Sequence, residues 1–233
     1  MLLQTKATLV LLLTASASLQ AAPLNGLYFG LDNMRGFGEV YWWFLPDGRV
    51  LRDTLPTGLT VDKFDAACRQ HSGFCGNYTL NGDKLTLQYK TGNSESWSYK
   101  PINGGIQLNY LILTPVEKFP AGTRLNGSWD RASAANVNSS PGSGTTITSP
   151  AFYTFSPDGT FTFINVTGVD ATSRVPGANI TSSQQTRSTG TYTVRDNVLT
   201  LVRNGATEEH MIFPVAGGSL NIDGMVYKKR QLR

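Results

Sequence analysis

The chain carries one pattern twice. Leu24-Asn25-Gly26 returns as Leu125-Asn126-Gly127, and Phe44, Pro46, Asp47 and Gly48 return as Phe155, Pro157, Asp158 and Gly159. Gly76, Tyr78, Leu85, Thr86 and Leu87 return as Gly190, Tyr192, Leu199, Thr200 and Leu201. Pro101, Gly104-Gly105 and Leu108-Asn109 are answered by Pro214, Gly217-Gly218 and Leu220-Asn221. The offset moves from 101 (24 to 125) to 114 (76 to 190) and back to 112 (108 to 220), as loop insertions require. Such an ordered series marks a tandem duplication. It predicts two domains of one fold, 23–113 and 125–233, joined by a linker over 114–124.

Each copy reads as short consecutive strands. "EVYWWFL" and "FYTFS" are aromatic and β-branched, and each runs into Pro-Asp-Gly, whose residues suit a tight hairpin turn. Those aspartates are turn residues before they are candidates for catalysis. In "KLTLQY", Leu85, Leu87 and Tyr89 alternate with Lys84, Thr86 and Gln88, the period of a half-buried antiparallel strand. The fold class is therefore all-β: two tandem antiparallel meander or up-and-down barrel-like domains, with one short helix inserted in the first. That helix is expected in "GLTVDKFDAACRQH", where Val61, Phe64, Ala67 and Cys68 keep helical spacing behind Thr60 as N-cap. In the second copy, "VTGVDATSRVPGANITSSQQTRST" reads as a polar loop and residues 132–150 as a mobile Ser/Gly/Pro-rich stretch.

Residues 1–22 place Lys6 before an apolar run and small residues, the layout of a secretory signal peptide. The run is too short for a bilayer, which takes about 20 apolar residues, and no later segment reaches that length. The expected destination is the exterior or the periplasm. Net charge is +4, partly in the tail "YKKRQLR". Without basic residues interleaved with aromatics along a face, this gives no case for nucleic acid.

Both cysteines lie in "AACRQHSGFC". Cys68, His71 and Cys75 provide three of the four ligands zinc prefers, but no motif places a fourth. In an oxidising compartment, thiols seven positions apart are expected to form a disulfide. That would stabilise the fold by about 2.5 kcal/mol on the chain-entropy estimate and pin the helix to the strand beginning at Gly76. No metal site and no cofactor are assigned, and His71 is expected to be a solvated loop residue.

"VYWWFL" is apolar at every position from 40 to 45, whereas an antiparallel strand ordinarily wets one face. The second copy separates the faces. Val40, Trp42 and Phe44 match Ala151, Tyr153 and Phe155, a face apolar in both copies and hence the common core. Tyr41, Trp43 and Leu45 match Phe152, Thr154 and Ser156, so this flank needs a cover peculiar to the first copy. The inserted helix, through Phe64 and Val61, or the second domain would serve. So would a small apolar ligand, a stacked sugar or a protein partner, since an exposed patch of this kind marks an interaction site. Tyr41, Trp42, Trp43 and Phe44 are the candidate ligand-binding residues.

The order G-x-W/Y, F-x-x-D-G, G-x-Y, L-T-L, opened in the second copy by Gly127 and Trp129 and in the first by Gly26 and Tyr28, resembles the lipocalins and short bacterial lipocalin-like domains. The resemblance implies a barrel closed at one end by that aromatic residue, with a small apolar molecule inside. It points to a non-catalytic binding protein, which requires a hollow of about 300 Å³ or more. The other reading is an envelope or extracellular module presenting its loops to a partner. An enzyme is the weakest reading. His71 and His210 with Glu208-Glu209 are the titratable candidates, no nucleophile, phosphate or metal motif accompanies them, and "EEH" reads as a solvent-facing strand edge.

Overall fold

The computed structural model describes residues 23–230 apart from 33, 35–37, 121, 132–133, 141–142 and 173–179, and side chains outside 132–148 and 169–181. The expected signal peptide lies outside the described residues. Strands β1 (Gly26–Asp32), β2 (Gly38–Phe44), β3 (Arg49–Arg52), β4 (Cys75–Asn81), β5 (Lys84–Tyr89), β6 (Ser94–Ile102), β7 (Gly105–Leu108) and β8 (Leu111–Pro115) pair in sequence. β8 returns to β1, closing an eight-stranded antiparallel barrel. The second copy supplies β9 (Gly127–Arg131), β10 (Ala134–Ser140), β11 (Ser143–Thr148), β12 (Ala151–Phe155), β13 (Thr160–Thr172), β14 (Ile180–Arg195), β15 (Val198–Arg203), β16 (Ala206–Val215), β17 (Ser219–Ile222) and β18 (Met225–Lys229). Eight of these close a second barrel through the β13–β14 pairing, and the β10–β11 hairpin adds to the far end of β13. The protein is all-β, two up-and-down barrels with one short helix. Among the described residues no helix is long and apolar enough to cross a membrane.

The duplicated residues build one end of each barrel, its floor. Gly48 and Gly159 sit at φ 89° and 90° and close the Pro-Asp-Gly turns by donating to Leu45 O and Ser156 O at 3.0 Å. Asp47 and Asp158 accept from the backbone N of Arg49 and Thr160 at 3.1 and 2.9 Å. The Tyr78 hydroxyl donates to Leu24 O at 2.7 Å and lies 3.3 Å from Leu45 O. Tyr192 stands 2.9 and 3.0 Å from Leu125 O and Ser156 O. Each tyrosine thus ties the chain entering the barrel to the turn beneath it. Gly76 and Gly190 lie where neighbouring strands approach so closely that a Cβ would collide with Gln88 O or Val202 O.

Two readings change. The Ser/Thr-rich stretches of the second copy are strands: β13 and β14 pair from Thr160 with Thr191 out to Ala171 with Ile180, forming a β arm beyond the barrel. In the final hairpins the repeats match at Leu108 with Ile222, not Leu220. Gly105 follows a two-residue turn from Ile102, whereas Ser219 follows three residues from Val215. The extra residue sits in the Ala216–Gly218 turn.

The apolar flank of the first copy is covered by protein. Helix α1 (Val61–Gln70), capped by Thr60, lays Phe64 edge-on against Trp43 at 5.2 Å between centroids. Met211 and Phe213 reach in from barrel 2, and Phe213 meets Phe29 at 5.9 Å. Leu27, Tyr41, Trp43, Leu45 and Leu51 are buried in this shared layer, where a side chain the size of Trp contributes a few kcal/mol. Cys68 and Cys75 are disulfide-bonded, with Cα atoms 5.6 Å apart, tying the end of α1 to β4. His71 is exposed at the helix C-cap. Lys63 on the helix pairs with Glu209 of barrel 2 at 2.6 Å. Asn197 fixes the linker by accepting from Phe119 N at 3.1 Å and donating to Glu117 O at 3.0 Å.

Candidate ligand-binding site

Strand alternation sends Val40, Trp42 and Phe44 into barrel 1 and Tyr41 and Trp43 outward. The four sequence candidates therefore separate. Tyr41 and Trp43 belong to the layer between the barrels. There the Tyr41 hydroxyl donates to Glu39 and Asn221 Nδ2 lies 3.4 Å from it. Phe44 is fully buried above the floor, edge-on to Tyr78 at 5.1 Å. Trp42 alone reaches the mouth, the end opposite the floor.

At that mouth Arg52, inward-facing on β3, is held among three rings, 5.6 Å from Trp42, 5.5 Å from Tyr89 and 5.9 Å from Trp97. Its guanidinium bonds Glu95 at 2.5 Å and lies 2.9 Å from Asp53. Burial works against the charge, but Asp53, Tyr89 and Glu95 together raise the pKa of Arg52. Glu95 also accepts from Trp97 Nε1 at 3.1 Å and from Tyr89 at 3.4 Å. Burial pushes the Tyr89 pKa up to about 12.

Beside this cage lies a hollow of about 220 Å³ lined by Asp32, Gly38, Glu39, Val40, Trp42, Arg52, Asp53, Trp97 and Leu111. It is smaller than a lipocalin-type cavity requires, because Leu85, Leu87, Leu108, Leu113 and their neighbours fill the barrel below. Two of its lining groups are donors lacking an acceptor among the described residues. Trp42 Nε1 is one, in a side chain only 1% exposed. The other is Arg52 Nε, which faces Asp53 without the alignment of a hydrogen bond. A buried donor left unmet costs about 1–3 kcal/mol. Asp32 is buried and accepts from Met34 N at 2.9 Å and Tyr110 at 3.4 Å.

Two larger hollows among the described residues are open to solvent to much the same degree as the mouth. One of about 370 Å³ runs between the barrels along Phe29, Val116, Phe213 and Val215. One of about 620 Å³ crosses the floor side of barrel 2, where Ser128 and Thr154 bond each other at 2.9 Å and Lys229 lies over Trp129.

The mouth of barrel 2 is built differently. Arg203 grips Glu208 and donates to Ser188 at 2.9 Å. His210 Nδ1 stands 2.6 Å from Asp223, and its Nε2 lies 3.4 Å from Glu208. The expected solvent-facing "EEH" edge is thus corrected. Glu208 and His210 face inward, on the parity of the core residue Ile212, and only Glu209 turns out, toward Lys63.

Arg52, Asp53, Glu95, Trp97 and Leu111 did not figure among the sequence candidates. A signal was present in "SESWSYK", where Glu95, Trp97 and Tyr99 alternate with serines and so share one face. Arg52, two residues from the core residue Val50, is likewise a cation at an inward position. No protein-family model, curated protein or solved structure matches this chain.

Proposed function

We propose that this is a non-catalytic binding protein of the cell exterior or periplasm, lipocalin-like in plan, taking a small molecule at the mouth of barrel 1. The observation that carries the reading is the hollow itself, walled by Trp42 and Trp97 and holding unmet buried donors. Ligand sites are concave and largely apolar, with a few placed polar groups, and this mouth has that composition. The leader-like N-terminus and the disulfide favour an oxidising compartment. The occupant sits in the rim rather than the depths of the barrel, so only part of a longer molecule would be enclosed.

Native mass spectrometry of protein purified from its own source tests this. A one-to-one adduct retained by the wild type and lost on Trp97→Ala, with the far-UV circular dichroism unchanged, is the expected outcome. An adduct indifferent to Trp97 would place the site elsewhere.

A second reading rests on the β arm. Residues 180–190 of β14 pair with β13 on one side and precede the β15 pairing on the other, leaving a strand edge that is open among the described residues. Such an edge offers a row of backbone donors and acceptors to a partner strand. Pull-down by the wild type and by a variant lacking residues 169–182, which removes part of that edge, separates this role from small-molecule binding.

A further inference from the structure

We infer that the ligand taken at the barrel 1 mouth is a neutral polyhydroxylated ring, a saccharide unit; this rests on the reading of that mouth as the binding site. The lining sets the class by elimination. Asp32 and Asp53 stand against one cation, Arg52, while the Glu39 carboxylate turns away to Tyr41, so the wall carries a formal charge of −1 (one less two). A fatty acid, a phosphate or another anion would enter against that field. A purely apolar molecule would cover the Asp32 and Asp53 carboxylates without offering them hydrogen bonds, and would leave Trp42 Nε1 and Arg52 Nε unmet. An organic cation suits the carboxylates, but Arg52 already occupies the aromatic cage made by Trp42, Tyr89 and Trp97. A cation also brings no acceptor to the two donors.

A hydroxyl both donates and accepts. A ring bearing several can give protons to the carboxylates and receive them from the indole and guanidinium N–H groups. Its apolar C–H face then has Trp97 to lie against, half-buried at the edge of the hollow and held edge-on to Trp42 at 5.3 Å. Trp97 cannot swing freely, because its own Nε1 is fixed on Glu95. The platform is therefore built before the ligand arrives, which lowers the ordering cost of binding. The hollow has room for about one ring, and its open side leaves neighbouring units of an oligosaccharide in solvent.

The experiment titrates the full mature protein with neutral hexoses and their short oligomers, a uronic acid, a medium-chain fatty acid and an alkylammonium salt, read by tryptophan fluorescence and calorimetry. Two variants accompany it: Trp97→Ala, and Leu111→Trp, which fills the hollow from β8, two strands from the platform. The expected result is saturable binding of a neutral saccharide, roughly tenfold or more weaker in each variant, with the uronic acid bound less well than its neutral counterpart. Each tenfold corresponds to about 1.4 kcal/mol. Binding of the fatty acid or the alkylammonium salt in preference, lost in both variants, would overturn the saccharide assignment while leaving the site standing. Binding of any probe with wild-type affinity in Leu111→Trp, or no binding by any probe, would overturn the site as well. Trp97→Phe, which keeps a ring, should recover part of the affinity and shows that a loss in Trp97→Ala is not unfolding.

Discussion

Barrel 1 gathers Trp42, Tyr89 and Trp97 around one guanidinium and leaves a hollow beside it. Barrel 2, with Tyr153, Arg203 and His210 at the matching places, closes its mouth with a chain of charges. The match follows from register. Leu87 pairs with Glu95 as Leu201 pairs with Glu208, and Leu85 pairs with Trp97 as Leu199 pairs with His210. The carboxylate stays in place while cation and aromatic change strands, since Arg52 answers Phe163 and Tyr89 answers Arg203. Arg203 reaches Glu208 on the strand next to its own and lies along the wall. Arg52, on β3, must cross past β4 and β5 to meet Glu95 on β6. A cation reaching over the lumen holds rings apart around it, and one lying on the wall does not. The floors stayed alike because turn chemistry and backbone bonds leave few substitutes, whereas the mouths were free to diverge.

The largest contrast concerns the flank rather than the mouth. Trp43 and Thr154 occupy the same position in the two copies, one buried under α1, the other exposed with its hydroxyl against that of Ser128. Trp43→Ala should cost about 3–5 kcal/mol, and Thr154→Ala within about 0.5 kcal/mol, read as urea unfolding midpoints. Equal effects would mean that the layer between the barrels contributes little. At the mouths, Arg52→Met should cost about 2 kcal/mol, toward the lower side of a broken buried pair because Glu95 is partly exposed. Arg203→Met should cost less, since Arg203 is itself more exposed than Arg52, 23% against 12%, while Glu208 and Glu95 are equally so. The floors sharpen the comparison by equality: Tyr78→Phe and Tyr192→Phe should each cost about 1–2 kcal/mol, because each hydroxyl serves the same two carbonyl positions.

These pairs also mark what the residues alone could and could not tell. The floor was readable because its glycines, aspartates and tyrosines recur in order, each with a conformational reason. The two faces of β2 were readable because Trp43 and Thr154 differ while Trp42 and Tyr153 do not. The arm was not, since residues 182–187 of β14 are all exposed, so their Ser, Gln and Thr residues carry no alternation of apolar and polar. The last hairpin misled because Gly104-Gly105 and Gly217-Gly218 look equivalent, while the turn at Gly218 takes one more residue. The site was half readable. Trp42 lay among the candidates, and Arg52 is its register partner on the next strand, but the partnership with Trp97 joins β2 to β6, four strands apart around a closed sheet, a relation that appears only on closure.

The smallest expected effect separates the mouths by pH. Asp223, bonded to His210 Nδ1, and Glu208, beyond Nε2, favour the imidazolium and raise the pKa of His210 above its ordinary 6.5, although burial opposes them. Arg203 faces the same carboxylate and limits the gain. A raised folded-state pKa stabilises the fold fully below the unfolded value, and that contribution is lost as pH climbs through the folded value. Thermal unfolding should therefore show barrel 2 losing a small part of its stability from the mid-6 range upward, and His210→Gln should flatten that slope. The mouth of barrel 1 has no histidine among the described residues of its lining; its cation is Arg52, whose pKa is raised, and burial pushes the Tyr89 pKa up to about 12. Ligand affinity there should stay level across the pH range in which His210 loses its proton. A parallel loss of both would show that the two mouths communicate through the layer of Trp43, Met211 and Phe213, and that the barrels do not act independently.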